Sequence, residues 1–218
     1  MTVLPTRQPR LGSCLALLGA LLAASPGAAQ ELRAHPLPPR PTWLTAAAVG
    51  PSFPIGPVAT QANSGIALST TLEYGFRRPQ GLWLRGTLDA IQFSATQQLA
   101  GPGYAYSLKL SNTLTSLVVD VGYRRAYGRL GPYAFVGAGG SYFSSSQLDG
   151  EQAGQAQHLG ASSGYAPTVR AGAGLEYRLY RARLIPYVEV MAQAVPGQNV
   201  GGERLFFLTP LVGIKFPL

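Results

Sequence analysis

The stretch 205–218, reading L-F-F-L-T-P-L-V-G-I-K-F-P-L, admits few folds. Every second residue from Phe206 is apolar: Phe206, Leu208, Pro210, Val212, Ile214, Phe216 and Leu218. The intervening positions hold Phe207, Thr209, Leu211, Gly213 and Lys215. A strand turns successive side chains to opposite faces, so this segment has one apolar wall and one mixed wall. Such a strand suits the closing position of a barrel. There it pairs with the first strand and removes the sheet edge that lipid cannot satisfy.

The same alternation recurs along the chain and predicts eight strands, over 42–53, 65–76, 82–93, 112–125, 132–143, 165–179, 185–193 and 205–218. Residues 42–53 carry the weakest pattern and 65–76 the clearest, with Ile66, Leu68, Thr70, Leu72, Tyr74 and Phe76 on one face. Short turns are expected at 77–81, 126–131 and 180–184. Longer polar connections are expected at 54–64, 94–110, 144–164 and 194–202. An even number of strands, with short turns at one end and longer loops at the other, is the pattern of an outer-membrane barrel. The expected fold is all-β: an eight-stranded antiparallel up-and-down transmembrane β-barrel. Arg77, Arg78, Arg125, Arg129, Arg181 and Arg183 gather at the short-turn end. Both chain ends fall there too, which the barrel reading makes periplasmic.

The distribution of charge decides which wall faces outward. The apolar faces of the second to eighth strands carry no charge. The opposite faces carry Glu73, Asp89, Asp120, Glu176 and Glu189 with Arg85, Arg170, Arg178 and Lys215. Gly75, Gly122, Gly137, Gly139, Gly172, Gly174 and Gly213 lie among them. On a soluble β-sandwich or a soluble periplasmic binding barrel, the charged face would meet water and need neither balance nor glycine, which weakens an exposed strand. Inside a narrow barrel, small residues must alternate with large ones and buried charges must pair. Aromatic residues near strand ends (Tyr74, Phe76, Tyr123, Tyr142, Tyr177, Phe206 and Phe216) fit interfacial girdles.

The rest of the sequence narrows location. Arg7 and Arg10 precede an apolar run from Leu15 to Ala24, and small residues follow at Gly27 and Ala29. That order predicts a signal peptide over 1–29, cleaved after Ala29. The run is too short to span a bilayer, which needs about 20 residues. Leu11-Gly12-Ser13-Cys14 has the look of a lipoprotein box, but it precedes the apolar run, so it is read as part of the signal. A Pro-rich periplasmic linker over 30–42 leads into the barrel domain over 43–218. Cys14 is the only cysteine, which excludes a disulfide framework. Two histidines, His35 and His158, are too few for a His-rich metal centre. The chain's formal charge of +8 falls to about +6 without Arg7 and Arg10. Its bases are scattered at strand ends with no basic helix, so no nucleic-acid partner is expected.

Internal similarity supports a hairpin unit. Arg129-Leu130-x-Pro132-Tyr133-x-x-Val136 recurs as Arg183-Leu184-x-Pro186-Tyr187-x-x-Val190. The segment V-D-V-G-Y-R-R…G-P-Y-A-F-V-G-A-G-G-S-Y-F (Val119–Phe143), the signal, the eight-strand pattern and the apolar last strand resemble the small outer-membrane β-barrel proteins. The similarity is to the PorT-like group and, more widely, to the OmpA and OmpX barrels, and it covers about Trp43 to Leu218. It implies a role in envelope biogenesis or secretion and carries no catalytic residue. Members often end in Phe or Trp, whereas this chain ends Phe216-Pro217-Leu218.

No motif for chemistry emerges. His158 lies with Asp149, Ser162 and Ser163 in a stretch read as a loop, which does not preorganise a triad. His35 has no partner nearby. Gly137-Ala138-Gly139-Gly140 lacks the helix and Lys-Ser/Thr of a phosphate loop. Eight strands leave no wide pore. The expected protein is a non-enzymatic structural or interaction barrel of the bacterial envelope without catalytic, cofactor or metal residues. Its expected partners are outer-membrane lipid, the barrel-assembly machinery and an extracellular or periplasmic protein, and it is expected to be monomeric. The alternatives are a lipid-modifying barrel enzyme, a narrow transport channel and the soluble binding barrel.

Overall fold

The computed structural model describes residues 43–218 apart from 57–58, 60–61, 77–80, 102–103, 126–128, 146–147, 153–154, 160–161, 180–183 and 201–202. The expected signal peptide and linker lie outside the described residues. The strands are β1 (Trp43–Pro54), β2 (Gly65–Gly75), β3 (Gly81–Gly101), β4 (Tyr104–Arg124), β5 (Leu130–Ser145), β6 (Leu148–Gln152), β7 (Gln155–Leu159), β8 (Ser162–Tyr177), β9 (Ile185–Val200) and β10 (Glu203–Pro217). Eight of them, β1–β5 and β8–β10, pair antiparallel with their neighbours, and β1 closes on β10. The chain is therefore an eight-stranded up-and-down barrel. No described helix is long and apolar enough to cross a membrane, which says nothing about crossing by strands.

Three expected loops differ. In place of a polar connection over 94–110, β3 and β4 stay paired to Gly101↔Tyr104. The stretch 144–164 contains the β6–β7 hairpin, which joins the main sheet through Lys109↔Asp149. Residues 194–202 largely continue β9. Residues 95–101, 148–159 and 194–200 show no sustained apolar alternation, so their pairing continues without the pattern that marks a strand in sequence. Residues 104–110 do alternate, with Tyr104, Tyr106, Leu108 and Leu110 set against Ala105, Ser107 and Lys109, so this part of β4 is legible in the sequence.

Side-chain parity is uniform. Outward positions carry exposed apolar residues, among them Leu68, Leu84, Leu88, Val119, Val136, Val169, Val188 and Val212. Across the apolar belt so formed, no outward position of the eight barrel strands holds a charged residue. Trp43, Phe76, Tyr123, Tyr177 and Phe216 mark one border of this belt, and Phe53, Tyr142, Tyr165 and Phe206 mark the other. From Phe206 to Phe216 a strand runs about 33 Å. At a tilt of about 40° that spans about 25 Å, the height of the apolar band of a membrane barrel.

The inward rows hold the aromatic rings in register with glycine. Trp83 is opposite Gly122, Phe135 opposite Gly172, Tyr133 opposite Gly174 and Tyr187 opposite Gly213. In each pair the ring covers the glycine, and an added Cβ would collide with it. At Gly174 the Val188 carbonyl also blocks the space, 2.6 Å from such a Cβ. Gly174→Val should therefore lower stability by about 1–3 kcal/mol through overpacking. Gly86 faces outward, where a Cβ meets nothing within 4 Å, and Gly86→Ala should cost nothing. Urea unfolding of the two variants in lipid vesicles checks this; equal midpoints would contradict it.

Candidate functional site

The lumen is the part of the molecule with chemistry. Along β3 from the short-turn end, the inward residues are Trp83, Arg85, Thr87, Asp89, Ile91 and Phe93, all buried. Each strand contributes a similar row, so charges from distant parts of the sequence meet inside. They form two networks.

The first network is centred on Asp120 of β4. Arg85 donates from Nε to Asp120 Oδ2 at 2.8 Å, and Thr87 donates to the same oxygen at 3.0 Å. Arg170 of β8 donates from Nε to Oδ1 at 2.7 Å and from Nη2 to Oδ2 at 2.5 Å. Arg170 also holds Asp89 through Nη1. Arg85 reaches across to Glu189 of β9 with Nη1 at 2.8 Å, and the Tyr133 hydroxyl donates to the same carboxylate at 2.9 Å.

The second network lies nearer the short turns. Arg124 Nη2 donates to Glu73 Oε2 at 2.9 Å, and its Nε lies 3.0 Å from Glu176 Oε1. Lys215 bridges the same two acids, 3.0 Å from Glu73 and 3.4 Å from Glu176. Arg178 at the rim adds a 3.1 Å pair to Glu176. Between the networks sits the aromatic layer. The Arg85 guanidinium lies 4.2 Å from the Phe135 ring centroid, Arg124 lies 5.6 Å from Trp83, and Lys215 lies 4.7 Å from Tyr133. Cations desolvated on both sides gain from such ring faces.

Every inward charge expected from the sequence lies in these networks. Arg124 is an addition to that set. It continues the inward parity of Asp120 and Gly122, but it sits in the Arg124-Arg125 pair beside a turn, where it has the look of a strand-end base. The pairing is not one to one: each acid or base shares partners, which distributes charge better than isolated pairs in a low-dielectric interior. Toward the opposite end the lumen becomes polar and then apolar. Gln193 donates to Ser116, Ser116 and Ser141 are 2.7 Å apart, and Thr168 bonds Ser141. Beyond them Ile91, Phe93, Leu114, Phe143, Val195, Leu205 and Phe207 are buried together.

The other candidates fare as follows. Asp149 stands opposite His158 in the β6–β7 ladder, and Ser162 and Ser163 lie on β8 opposite Ser145 and Ser144. Gly137–Gly140 is plain strand within β5, with no helix after it. No group of three metal-ligating side chains occurs among the described residues. Cys14 and His35 lie outside the described residues.

No protein-family model matches the sequence, and no curated protein matches it. Solved structures do. A major outer membrane protein from Thermus thermophilus superposes with a TM-score of 0.50 at 15% identity, over 80% of this chain and 98% of that one. Neisserial surface protein A gives 0.46 at 12% identity, over 81% and 96%. The N-terminal β-barrel domain of Pseudomonas aeruginosa OprF gives 0.41 at 14% identity, over 81% and 98%. At these identities the likeness is one of fold.

Proposed function

We propose that this chain is an integral outer-membrane β-barrel with a structural or interaction role in the bacterial envelope and no wide pore. One observation carries the reading: a closed barrel whose outside is an uncharged apolar belt and whose inside is filled by mutually paired charges. Water on the outside would leave the belt's large apolar surface unexplained. Hydrocarbon explains both the belt and the confinement of charge to the lumen.

The same reading makes residues 1–29 an export signal and the short-turn end periplasmic. On the Val119–Phe143 segment we assign the chain to the PorT-like group, with a non-enzymatic part in envelope biogenesis or secretion. Lipid and the barrel-assembly machinery are its partners, and the barrel acts as a monomer. At the far end, β3 and β4 run about 23 Å beyond Ser94 and Ser111. They join β6 and β7 in a projecting sheet, which supports a protein contact on the outer side.

Heat-modifiability with fractionation tests the proposal. The chain extracted from outer membranes should migrate differently before and after boiling. A soluble periplasmic protein with unchanged mobility would overturn it.

A further inference from the structure

Outside the lumen, the acids of the described strands are confined to one end of the barrel. Asp149 and Glu151 lie on β6 and Glu203 at the start of β10, all at the end of the longer connections. The three short connections at the other end carry Arg77, Arg78, Arg125, Arg129, Arg178, Arg181 and Arg183 and no acid. Among the described residues next to them, the acids are Glu73 and Glu176, both buried in the lumen against Arg124 and Lys215. The exposed charge described at this end is therefore all positive.

One corner of this end is resolved into a site. Arg125 and Arg129 flank the turn from β4 to β5, and both are exposed. Tyr123 faces outward at the border of the belt. Arg125 continues its parity, and Arg125 N still donates to Pro132 O at 3.0 Å, so strand geometry persists to that residue. Two residues of strand measure about 7 Å. At a tilt of about 40° they set Arg125 about 5 Å beyond Tyr123 along the membrane normal. Arg129 is fixed at the same border. Its Nη1 lies 3.5 Å from the Tyr177 hydroxyl, and its carbonyl accepts from Arg178 N at 2.9 Å. Tyr177 stands opposite Leu130, and Tyr123 opposite Ala134. Two tyrosines thus border β5 on its two sides, with exposed Leu130 between them and an arginine just beyond each.

We propose that this corner binds the headgroup of an anionic phospholipid in the leaflet at the short-turn end, its phosphodiester on the Arg125 and Arg129 guanidinium groups. The inference rests on the membrane reading above and names one partner within it. Border rings lie at headgroup level, so groups just beyond them meet phosphate. A guanidinium presents a planar fork of donors that fits two phosphate oxygens. The sign of the headgroup follows from the charge around it. A zwitterionic lipid brings an ammonium group, and no exposed carboxylate is described at this end to receive it. An anionic lipid brings none.

The test uses the chain folded into vesicles of phosphatidylcholine and phosphatidylglycerol in equal amounts, with one or the other spin-labelled on an acyl chain. Electron paramagnetic resonance gives the fraction of each lipid immobilised on the protein. Phosphatidylglycerol should be favoured about fivefold. Arg125→Gln/Arg129→Gln should lower the preference to about twofold, since the other rim arginines remain. Salt at about 0.5 M should lower it in the parent chain, because exposed charges are screened. Lys109→Gln, at the opposite end, should leave it unchanged. Equal immobilisation of the two lipids by the parent chain would overturn the headgroup site while leaving the barrel in its membrane. So would a preference that the double variant keeps in full, or one that Lys109→Gln lowers as much. Absence of an immobilised fraction for either lipid would count instead against the membrane reading. A gel shift on boiling establishes that each variant is folded. Should the double variant fail that check, Arg129→Gln alone is read the same way.

Discussion

Replacing Asp120 with alanine should cost the folded barrel about 3–5 kcal/mol, the penalty of leaving buried charge without its partner. Asp120 is fully buried and takes hydrogen bonds from Arg85, Thr87 and Arg170. Without it, Arg85 keeps Glu189 and Arg170 keeps Asp89, so neither is stripped of every partner, but each guanidinium loses the carboxylate it shared. No water shell replaces that carboxylate in a lumen filled by Phe135, Thr87 and Met191. Thr87→Ala removes one neutral donor from the same carboxylate and should cost only about 1 kcal/mol. The comparison is made by urea unfolding in lipid vesicles. An Asp120→Ala loss no larger than that of Thr87→Ala would mean that water reaches the network and that the lumen is not sealed.

Much of this arrangement is written in the sequence, because a strand's period of two assigns each residue to a wall without knowledge of its partners. Glu73, Arg85, Asp89, Asp120, Arg170, Glu176, Glu189 and Lys215 can all be placed inside on parity alone. Arg124 obeys the same parity, but its neighbour Arg125 and the adjacent turn give it the look of a rim base. Partnership is different. Arg85 and Glu189 are far apart in sequence and meet only because β3 and β9 face each other across a lumen of fixed width. No local pattern encodes that meeting. The break in the β1–β10 ladder between Val49↔Val212 and Phe53↔Leu208, where Pro51 and Pro210 have no N–H to give, is illegible for a related reason. Each proline reads as an ordinary outward residue until the register of first strand against last is known, and that register is set by closure of the whole sheet. The far end of β3, A-T-Q-Q-L-A-G over 95–101, escapes a pattern reading because a strand paired to its neighbour needs no apolar face, whereas its partner stretch 104–110 alternates Tyr104, Tyr106, Leu108 and Leu110 with Ala105, Ser107 and Lys109 and is legible.

The outer wall makes the second large prediction. Val119 is 54% exposed on the outside of β4, between Tyr123 at one border and Thr115, near the other. Its cross-strand partners are Gly86 and Ala138, and neither offers a charge. In a bilayer, Val119→Arg sets a guanidinium near the midplane and should lower stability by about 2–4 kcal/mol. In water the same change would fall within about 0.5 kcal/mol, as for other exposed sites. The two environments thus predict results that differ by more than the error of an unfolding curve. Arg at Ser94 or Ser111, on the same outer face but beyond the belt, should be tolerated in either case. A depth-dependent penalty that peaks at Val119 and vanishes at those serines is the signature of a membrane, since only a slab of hydrocarbon makes the cost of one charge depend on its height along the barrel. A flat series would assign the apolar wall to a protein partner, because such an interface penalises charge by shape and not by depth.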